Sequence, residues 1–524
     1  MNKNKKSIAL ILAYSAIAVM GVLSSVSMTS AVNELNRARR YEAHMQGRYL
    51  AEAAASVAAL EVRSRLVDGE EMPSGSQAVT FPDVTDYVLS YEVSMLDENE
   101  VSLVDYHGIV RKVRHFLVSA NAQHVNYDVS VTSNIIFSSS RMYAFQHAVF
   151  YDSDLEMLPG SAMTLSGKIH SNRDIYLDSD GSTLTIDSEY MYAFGDIYNF
   201  RKNNGAQLSG TVLVKVTGTG TYQAMDRGAY DLDSNYVNWV SESQSVWGGT
   251  VKSGDHGVQR LETIEVGDIN PGGYYDNNAD LRIIDGVIYS GGSVVSIPGA
   301  VSETTIYNVR EGKIVTVTDI DMGVINASGY FPSNGLLYAT RSDATSSSPN
   351  SIRIKNGAEI SDGLTLVTNN PLYIQGDYNS TNKKPAAVIC DAVNILSNNW
   401  NDVNGDSSWD SFSGKVASNT TVNTAFIAGG NPTPDGGGIY SGGLENYPRL
   451  HENWSGKQLN IRGSFVNIWD SQIAQGNWAY GSPQYTAPGR NWYYDTDFNS
   501  ESNLPPFTPF VVRVAREVGW IVTN

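Results

Sequence analysis

Cysteine is nearly absent from this chain of 524 residues, in which Cys390 stands alone between Ile389 and Asp391. A single cysteine can neither close an intrachain disulfide nor supply a cysteine-based zinc site. Its apolar neighbours on the N-terminal side, Val388 and Ile389, predict a buried structural thiol rather than a nucleophile.

Charged residues are also scarce, and basic residues are scarcer than acidic ones. Charged residues make up 17% of the chain, and the formal net charge is −19. An acidic surface repels phosphate backbones, so we expect no nucleic-acid partner. No phosphate-binding loop, dinucleotide fingerprint, H-E-x-x-H motif or G-x-S-x-G serine is present. We therefore expect a protein that is not an enzyme.

The N-terminus carries a candidate membrane anchor. Lys3, Lys5 and Lys6 precede an uncharged run from Ser7 to Met28. As a helix this run is about 33 Å long, and the hydrocarbon core of a bilayer is about 30 Å thick. We predict a retained span with its N-terminus inside; the alternative is a signal peptide cleaved near Thr29-Ser30-Ala31.

The helical pattern continues beyond the span and ends at Asp68-Gly69. Between these points an apolar, alanine-rich stripe recurs at spacings of three and four residues: Leu50, Ala53, Ala54, Val57 and Ala58. Small side chains let a second helix approach closely. We predict that this stripe packs into a multi-subunit assembly; the alternative is a spacer helix that lies on the protein's own body.

The rest of the chain has the period-two alternation and frequent turns of β structure. Residues 70–85 resemble a linker, and His107-Gly108 is a predicted turn. Later segments contain short apolar runs such as Ile175–Leu177 and Leu364–Val367. The predicted fold is mainly β: a transmembrane and extended α-helix (1–69), a small membrane-proximal β-rich or α+β domain (70–150), and a large, irregular β-helix-like solenoid (151–524).

One acidic segment has the spacing of a calcium loop. Oxygen-bearing side chains occupy alternate positions, as a hard cation requires: Asp402, Asn404, Asp406, Ser408 and Asp410. The usual bidentate glutamate is replaced by Ser413. The segment is either a plain turn rich in Asp and Asn or a weak calcium site, and we expect no other cofactor.

Two further patterns could carry chemistry. Asp152, Asp154 and Glu156 alternate along a strand and could act as general acid and base, although a solvated acidic edge is expected. His170 could be a base, but a buried histidine is expected. Core packing, rather than stacking on sugars, is expected for the tryptophans of the last quarter: Trp400, Trp409, Trp454, Trp469, Trp478 and Trp492.

The basic tail, the uncharged span and the helix with Ala51-Glu52-Ala53-Ala54 resemble the N-terminal segment of PilX-type minor pilins and pilus-assembly proteins. Blocks downstream resemble the same family in the same order; they include Gly167-Lys168-Ile169-His170-Ser171-Asn172, Glu445-Asn446, Arg449, Glu452-Asn453-Trp454 and Arg462. These positions are expected to be structural, with the charged residues near the C-terminus forming an ion-pair network. The span lacks the carboxylate of a typical prepilin, so we do not expect processing by prepilin peptidase.

The resemblance implies a non-enzymatic structural component of a type IV pilus or related secretion assembly. Such a protein belongs to the bacterial cell envelope, with its anchor in the inner membrane and its body in the periplasm or at the cell surface. The expected partners are membrane lipid and other pilin-like or assembly subunits, bound through the N-terminal helix. The alternative is an envelope-anchored β-helix protein that binds or cleaves polysaccharide.

Overall fold

The computed structural model describes residues 3–68, 72–97, 99–263, 266–402, 415–434, 440–478 and 485–523. Contacts divide the chain into two compact units. The first contains Met1–Val101, Val113–Ser140 and Val514–Asn524, and the second contains Ser102–Lys112 and Arg141–Arg513. The helix and most strands of residues 70–140 thus share one unit, and the three-part division made from the sequence stays a prediction.

The first unit is built from one long helix and an antiparallel sheet. The helix α1 spans Lys3–Asp68. The strands, some of which continue into the second unit, are β1 (Gln77–Val79), β2 (Tyr87–Met95), β3 (Val101–Val104), β4 (Val110–His124), β5 (Ser130–Tyr143) and the C-terminal strand, numbered β35 in chain order (Phe510–Thr523). Their order is β1-β2-β4-β5-β35, with β3 on β4. Tyr87, Leu89 and Tyr91 alternate on the buried face of β2, as a half-buried strand requires.

The structure tests two predictions made for short segments of this region, a turn and a linker. The turn at His107-Gly108 is confirmed, because the amide of Gly108 donates to the carbonyl of Asp105 (2.9 Å) and Gly108 has a positive φ of 76°. The segment 70–85 is not entirely a linker, because it contains β1, which pairs with β2 through Val79 and Leu89.

The second unit begins with short strands that pair mostly in parallel. They are β6 (Val149–Tyr151), β7 (Leu155–Met157), β8 (Met163–Ser166), β9 (Ile169–Ser171), β10 (Ile175–Leu177), β11 (Thr183–Asp187), β12 (Met191–Ala193), β13 (Ile197–Tyr198), β14 (Thr211–Lys215), β15 (Tyr222–Ala224) and β16 (Val251–Lys252). Helix α2 (Trp239–Trp247) lies between β15 and β16.

The chain continues with a second series of strands. They are β17 (Leu261–Glu262), β18 (Leu281–Ile284), β19 (Val287–Ser290), β20 (Ser293–Val294), β21 (Val301–Asn308), β22 (Lys313–Asp321), β23 (Leu336–Thr340), β24 (Ser351–Lys355), β25 (Leu364–Val367), β26 (Leu372–Gln375), β27 (Ala386–Cys390), β28 (Val393–Leu396), β29 (Thr420–Asn423), β30 (Ala425–Ala428), β31 (Arg449–Leu450), β32 (Gln458–Gly463), β33 (Phe465–Asn467) and β34 (Gly489–Tyr494). Two short helices, α3 (Tyr274–Asn278) and α4 (Met322–Ala327), interrupt this series.

The largest sheet of the second unit has an order that chain sequence alone does not suggest. Its strands run β16-β12-β9-β6-β33-β30-β27-β25-β23-β18-β19-β20. The chain therefore enters this sheet at β6, in the interior, and builds outward to β16. It then restarts at β18 and returns until β33 pairs in parallel with β6, through Phe465 and Val149.

Both faces of this sheet are buried across its central strands, from β9 to β23 in the sheet order, whereas β20 at one edge is exposed. On one face Val149, Val388 and Phe426 belong to the largest apolar core. On the other face Phe150, Ile389 and Ile427 belong to a second core, which also contains Ile269, Tyr275, Phe498 and Val511. Segments outside the sheet therefore cover its second face, and this explains why its strands are continuously apolar. Cys390 lies fully buried in the first core, where burial raises its thiol pKa well above the ordinary value.

The mainly β fold with a long, apolar N-terminal helix is confirmed. The predicted runs Ile175–Leu177 and Leu364–Val367 coincide with β10 and β25. The description of the body as a solenoid stays a prediction, and the parallel registers, such as Leu366 with Val388 and Val388 with Phe426, support it.

Candidate functional sites in the helix and the body

The first half of α1 is apolar and exposed. An 18-residue window has a mean hydropathy of 2.1, and none of that window is buried. Leu10 and Leu23 expose 60% and 61% of their surface. Hydroxyl groups in this half bond to the helix itself, since Oγ1 of Thr29 donates to the carbonyl of Ser25 (2.8 Å). Such a segment presents few unsatisfied polar groups to a lipid or to another helix.

The second half of α1 packs on the sheet of its own unit. Ala54 and Ala58 are fully buried in a core that contains Leu89, Val118 and other side chains of β2, β4 and β5. Gly47 permits this approach, because a Cβ atom there would lie 3.3 Å from the Tyr87 ring. Small side chains allow the close approach that the sequence predicts, but the surface they meet belongs to the same chain.

The predicted helix-packing stripe is therefore corrected. Ala54 and Ala58 are inaccessible to another helix, Leu50 and Ala53 are partly buried, and only Val57 is exposed, by 41%. The prediction assigned the stripe to a partner because a sequence does not show which apolar surface a helix will meet. Among the alternatives stated above, the helix that lies on its own body describes this half of α1.

Two tyrosines of β2 fix the docked half of the helix. The hydroxyl of Tyr87 donates to the carbonyl of Ala43, and that of Tyr91 donates to Oε2 of Glu61, each over 2.5 Å. Burial, with a further contribution from the Glu61 carboxylate, raises the pKa of Tyr91 to about 12. The hydrogen bond from Tyr91 lowers the pKa of Glu61. Both hydroxyls therefore stay protonated and keep donating at ordinary pH.

The predicted calcium loop is described only at its first residue. Asn404, Asp406, Ser408 and Asp410 lie outside the described residues, whereas Asp402 accepts from Nη1 and Nη2 of Arg353 at 2.6 and 3.0 Å. This ion pair lowers the pKa of Asp402 despite the opposing effect of burial. Among the described residues, no group of three or more His, Cys, Asp or Glu side chains could hold a metal ion. The calcium site stays a prediction.

Arg353 was not identified from the sequence. It is 1% exposed and also forms a two-bond ion pair with Asp319, through Nε at 2.6 Å and Nη2 at 2.8 Å. Lys355 adds a third cation–carboxylate contact, with Nζ 2.9 Å from Asp319. The only sequence signal for the role of Arg353 is its place between the apolar residues of β24, where burial of an unpaired arginine would cost stability.

The family-like positions His170 and Asn172 join distant segments. Nε2 of the buried His170 lies 3.1 Å from Oδ1 of Asn172. Asn172 also bonds the backbone of Leu261 in both directions, donating to its carbonyl at 2.5 Å and accepting from its amide at 2.9 Å. Burial lowers the pKa of His170 to about 4, so the imidazole is neutral at ordinary pH. These contacts are those of a structural histidine.

The charged family-like positions near the C-terminus do not form the expected ion-pair network. Within the described part of the chain, Arg449 pairs with Glu311 (2.7 Å) rather than with Glu445 or Glu452. Glu445 accepts from the Tyr440 hydroxyl (2.6 Å), and Glu452 accepts from the amide and the hydroxyl of Ser397 (2.6 and 2.7 Å). Exposed Arg462 instead stacks on the Tyr493 ring at 4.2 Å.

Two further family-like residues, Asn446 and Trp454, are buried. Asn446 accepts from the Tyr485 hydroxyl (2.5 Å), and Trp454 is completely buried in the largest core. Core packing also holds Trp492, whose side chain is 1% exposed. These side chains pack and hydrogen-bond inside the second unit, which is a structural role.

The acidic triplet lies in a polar cleft of the second unit. Asp152, Asp154 and Glu156 line this cleft together with residues of three later segments, 429–433, 441–449 and 467–470. Asp154 forms an ion pair with Lys202 at 2.7 Å, and Asp152 lies 3.2 Å from Arg260. The expectation of a solvated acidic edge is therefore wrong, because Asp152 and Asp154 are paired with cations and Glu156 is buried in the wall of a concave site.

Comparison with known proteins adds little to this description. No family model matches the chain, and no curated protein matches it. Among solved structures, the competence-associated pilin ComZ from Thermus thermophilus aligns over 92% of this chain and 97% of its own, at 12% identity and a TM-score of 0.26. A score this low does not establish a shared fold.

Proposed function

We propose that this protein is a non-enzymatic structural component of a type IV pilus or related secretion assembly. One N-terminal helix anchors it in the inner membrane of a bacterial cell, and its body lies on the exported side, in the periplasm or at the cell surface. The observation that carries the proposal is the contrast between the two halves of α1. The first half is exposed and apolar, and the second half is buried in the protein's own core.

The exposed half needs a partner for a physical reason. Monomeric soluble proteins rarely expose apolar patches larger than a few hundred Å². Ile11 and Leu12 each expose 64% of their surface, and the other large apolar side chains of this half are exposed as well. Together they form an apolar surface larger than such a patch. Lipid covers such a surface in a membrane, and the apolar surfaces of neighbouring helices can cover it in an assembly.

The second half of α1 links the membrane anchor rigidly to the first unit. The helix has no break between Lys3 and Asp68, and the first unit holds its second half through Tyr87 and Tyr91. A continuous helix is a stiff rod that rises about 1.5 Å per residue. Whatever fixes the first half therefore also fixes the unit into which the second half is built, and that is a structural role.

Site-specific crosslinking in whole cells tests this proposal. Cys390 is fully buried, so an introduced cysteine is the reactive site. We expect L23C to give crosslinks to other membrane-anchored subunits. The control is V237C, whose parent side chain is 88% exposed in the second unit and which should give none of these adducts. An L23C protein that stays uncrosslinked to any protein in cells that assemble the complex would refute the structural role.

A further inference from the structure

The second unit contains a cleft of about 400 Å³ that the proposed structural role does not use. Its lining includes residues 151–154, Glu156, and the segments 429–433, 441–443 and 467–470. Arg173, Lys202, Arg310, Asn446, Tyr447 and Arg449 complete the wall. These segments are far apart in the chain, so the cleft is a product of the fold. Its volume is in the usual range of small-molecule sites, about 300–1,000 Å³.

The acidic side of the cleft is fixed in place. Asp154 accepts from Lys202 at 2.7 Å and from the amide of Asp174 at 3.1 Å. Asp152 accepts from Nδ2 of Asn172 at 2.6 Å. Each carboxylate has lone pairs to spare beyond these bonds, because an ionised carboxylate offers about four acceptor sites. The cleft therefore presents oriented acceptors whose charge is already balanced by cations.

The cationic side offers donors. Each guanidinium nitrogen of Arg310 donates one bond to a backbone carbonyl: Nε to Gly476 at 2.8 Å, Nη1 to Asn446 at 3.4 Å and Nη2 to Ser441 at 2.7 Å. No ion pair joins Arg310 to a described carboxylate, and its two Nη atoms each keep a second N–H. The exposed Arg173 side chain makes no hydrogen bond to the residues that the structure describes, although it lies near the charge of Asp470. Guanidinium groups in such a setting can donate to a ligand.

Glu156 is a buried carboxyl group in the cleft wall with one unsatisfied oxygen. Glu156 is only 6% exposed, and its Oε2 has no hydrogen-bond partner among the described residues. Burial raises its pKa to about 7, with the Thr433 hydroxyl acting in the opposite direction. Near neutral pH this carboxyl group is therefore protonated in a large fraction of molecules and can donate as well as accept.

The balance of charge and hydrogen bonding selects the ligand class. A cation would be repelled by Arg173, Lys202 and Arg310, and an anion by the carboxylates opposite them. A neutral molecule rich in hydroxyl groups meets neither cost, since each hydroxyl donates to a carboxylate and accepts from a guanidinium. Tyr151 and Trp469, which are both largely buried, also form part of the cleft wall. We infer that this cleft binds a neutral saccharide.

Binding should be measured on the full chain in lipid nanodiscs, because sugar-headed detergents would compete. The probes are tetrasaccharides of glucose, of N-acetylglucosamine and of a hexuronate. The affinity for each is measured by titration calorimetry. We expect at least one of the two neutral tetrasaccharides to bind, and the hexuronate to bind at least tenfold more weakly. Binding of the hexuronate alone, or of none of the three, would overturn the inference.

Variants then locate the site. We expect D154N to weaken the binding of the neutral tetrasaccharide at least tenfold. D187N is the matched control, because Asp187 also pairs with a lysine, Lys215 at 3.0 Å, but lies outside the cleft lining. If D154N fails to fold, R173Q replaces it, since Arg173 is exposed and should tolerate the change. Equal affinity in the folded cleft variant and the control would reject the site. These variants leave α1 untouched, so crosslinking through L23C is read independently.

Discussion

Replacing Ala58 with arginine separates a helix that is docked on its own sheet from one that is available to partners. Ala58 is fully buried against the sheet of the first unit, whereas Leu60, two residues later on the same helix, is 67% exposed. The pair A58R and L60R therefore adds the same side chain to the two opposite faces. Only A58R must insert a guanidinium into an apolar core.

The expected magnitudes differ widely. An uncompensated charge in a core costs about 3–5 kcal/mol, and overpacking adds about 1–3 kcal/mol. A surface change such as L60R costs about 0.5 kcal/mol or less. Since a factor of ten corresponds to about 1.4 kcal/mol, A58R should speed amide exchange in the unit at least a hundredfold, and L60R less than about threefold.

Peptide-level hydrogen exchange of the full chain in nanodiscs provides the assay. Peptides that cover β2 (Tyr87–Met95) and the part of β4 (Val110–His124) in the first unit report its opening, and peptides of β25 (Leu364–Val367) serve as an internal reference. We expect A58R to speed hydrogen exchange in the peptides of β2 and β4 and to leave exchange in the β25 peptides unchanged. If A58R exchanges within threefold of the native protein, the second half of α1 is not docked on the sheet, and the packing described here is wrong.

Further predictions concern charge, pH, calcium and processing. R353M should destabilise the body by about 3–5 kcal/mol in urea melts, because it removes the cation that pairs with Asp319 and Asp402. R353K should destabilise the body by less, because lysine keeps the charge although it cannot make the paired bonds. Equal stability of R353M and native protein would contradict this. His170 has a folded pKa of about 4, below its unfolded value of about 6.5, so the unfolded state binds more protons and stability falls as pH drops from about 6.5 to 4. H170F should therefore lose about 3 kcal/mol less than the native protein over that range, and parallel curves would refute the assignment. Calcium at millimolar concentration should raise the melting temperature of the native protein but not of the D406N/D410N double variant; D402N is unsuitable because it also breaks the pair with Arg353. N-terminal sequencing of the protein from membranes should find residues before Val32, and a terminus at Val32 would show that the span is removed.

Several features could be predicted because they depend on local pattern. The apolar span and the helix that follows were visible from missing charge and from small residues at helical spacing, and α1 extends over both. The alternation in β2 and short runs such as β10 were visible because a strand buries every second side chain. By contrast, Thr420–Asn423 forms β29 by pairing with β32, a partner that lies far along the chain and that no local pattern indicates.

The candidate sites were less predictable, because they depend on which segments meet. Asp152 and Asp154 were recognised as a carboxylate pattern, but Lys202 and Arg310, which turn an acidic edge into a balanced cleft, come from distant loops. Arg449 was recognised as structural, yet its partner Glu311 carried no signal in the sequence. Ion pairs between remote residues leave no periodicity, so a single sequence does not identify them.

The sequence by itself determined that this protein has one long, apolar helix and a β-rich body, because hydrophobic periodicity and the absence of charge act over a few residues at a time. Tertiary structure alone decided that Ala54 and Ala58 face the protein's own sheet, since many apolar surfaces could have covered them. It also decided that β33 pairs with β6, which joins the two series of strands into one large sheet and brings Asn467 beside Ser153 in the cleft. Strand pairing of this kind depends on how the whole chain packs, and local residue patterns do not encode it.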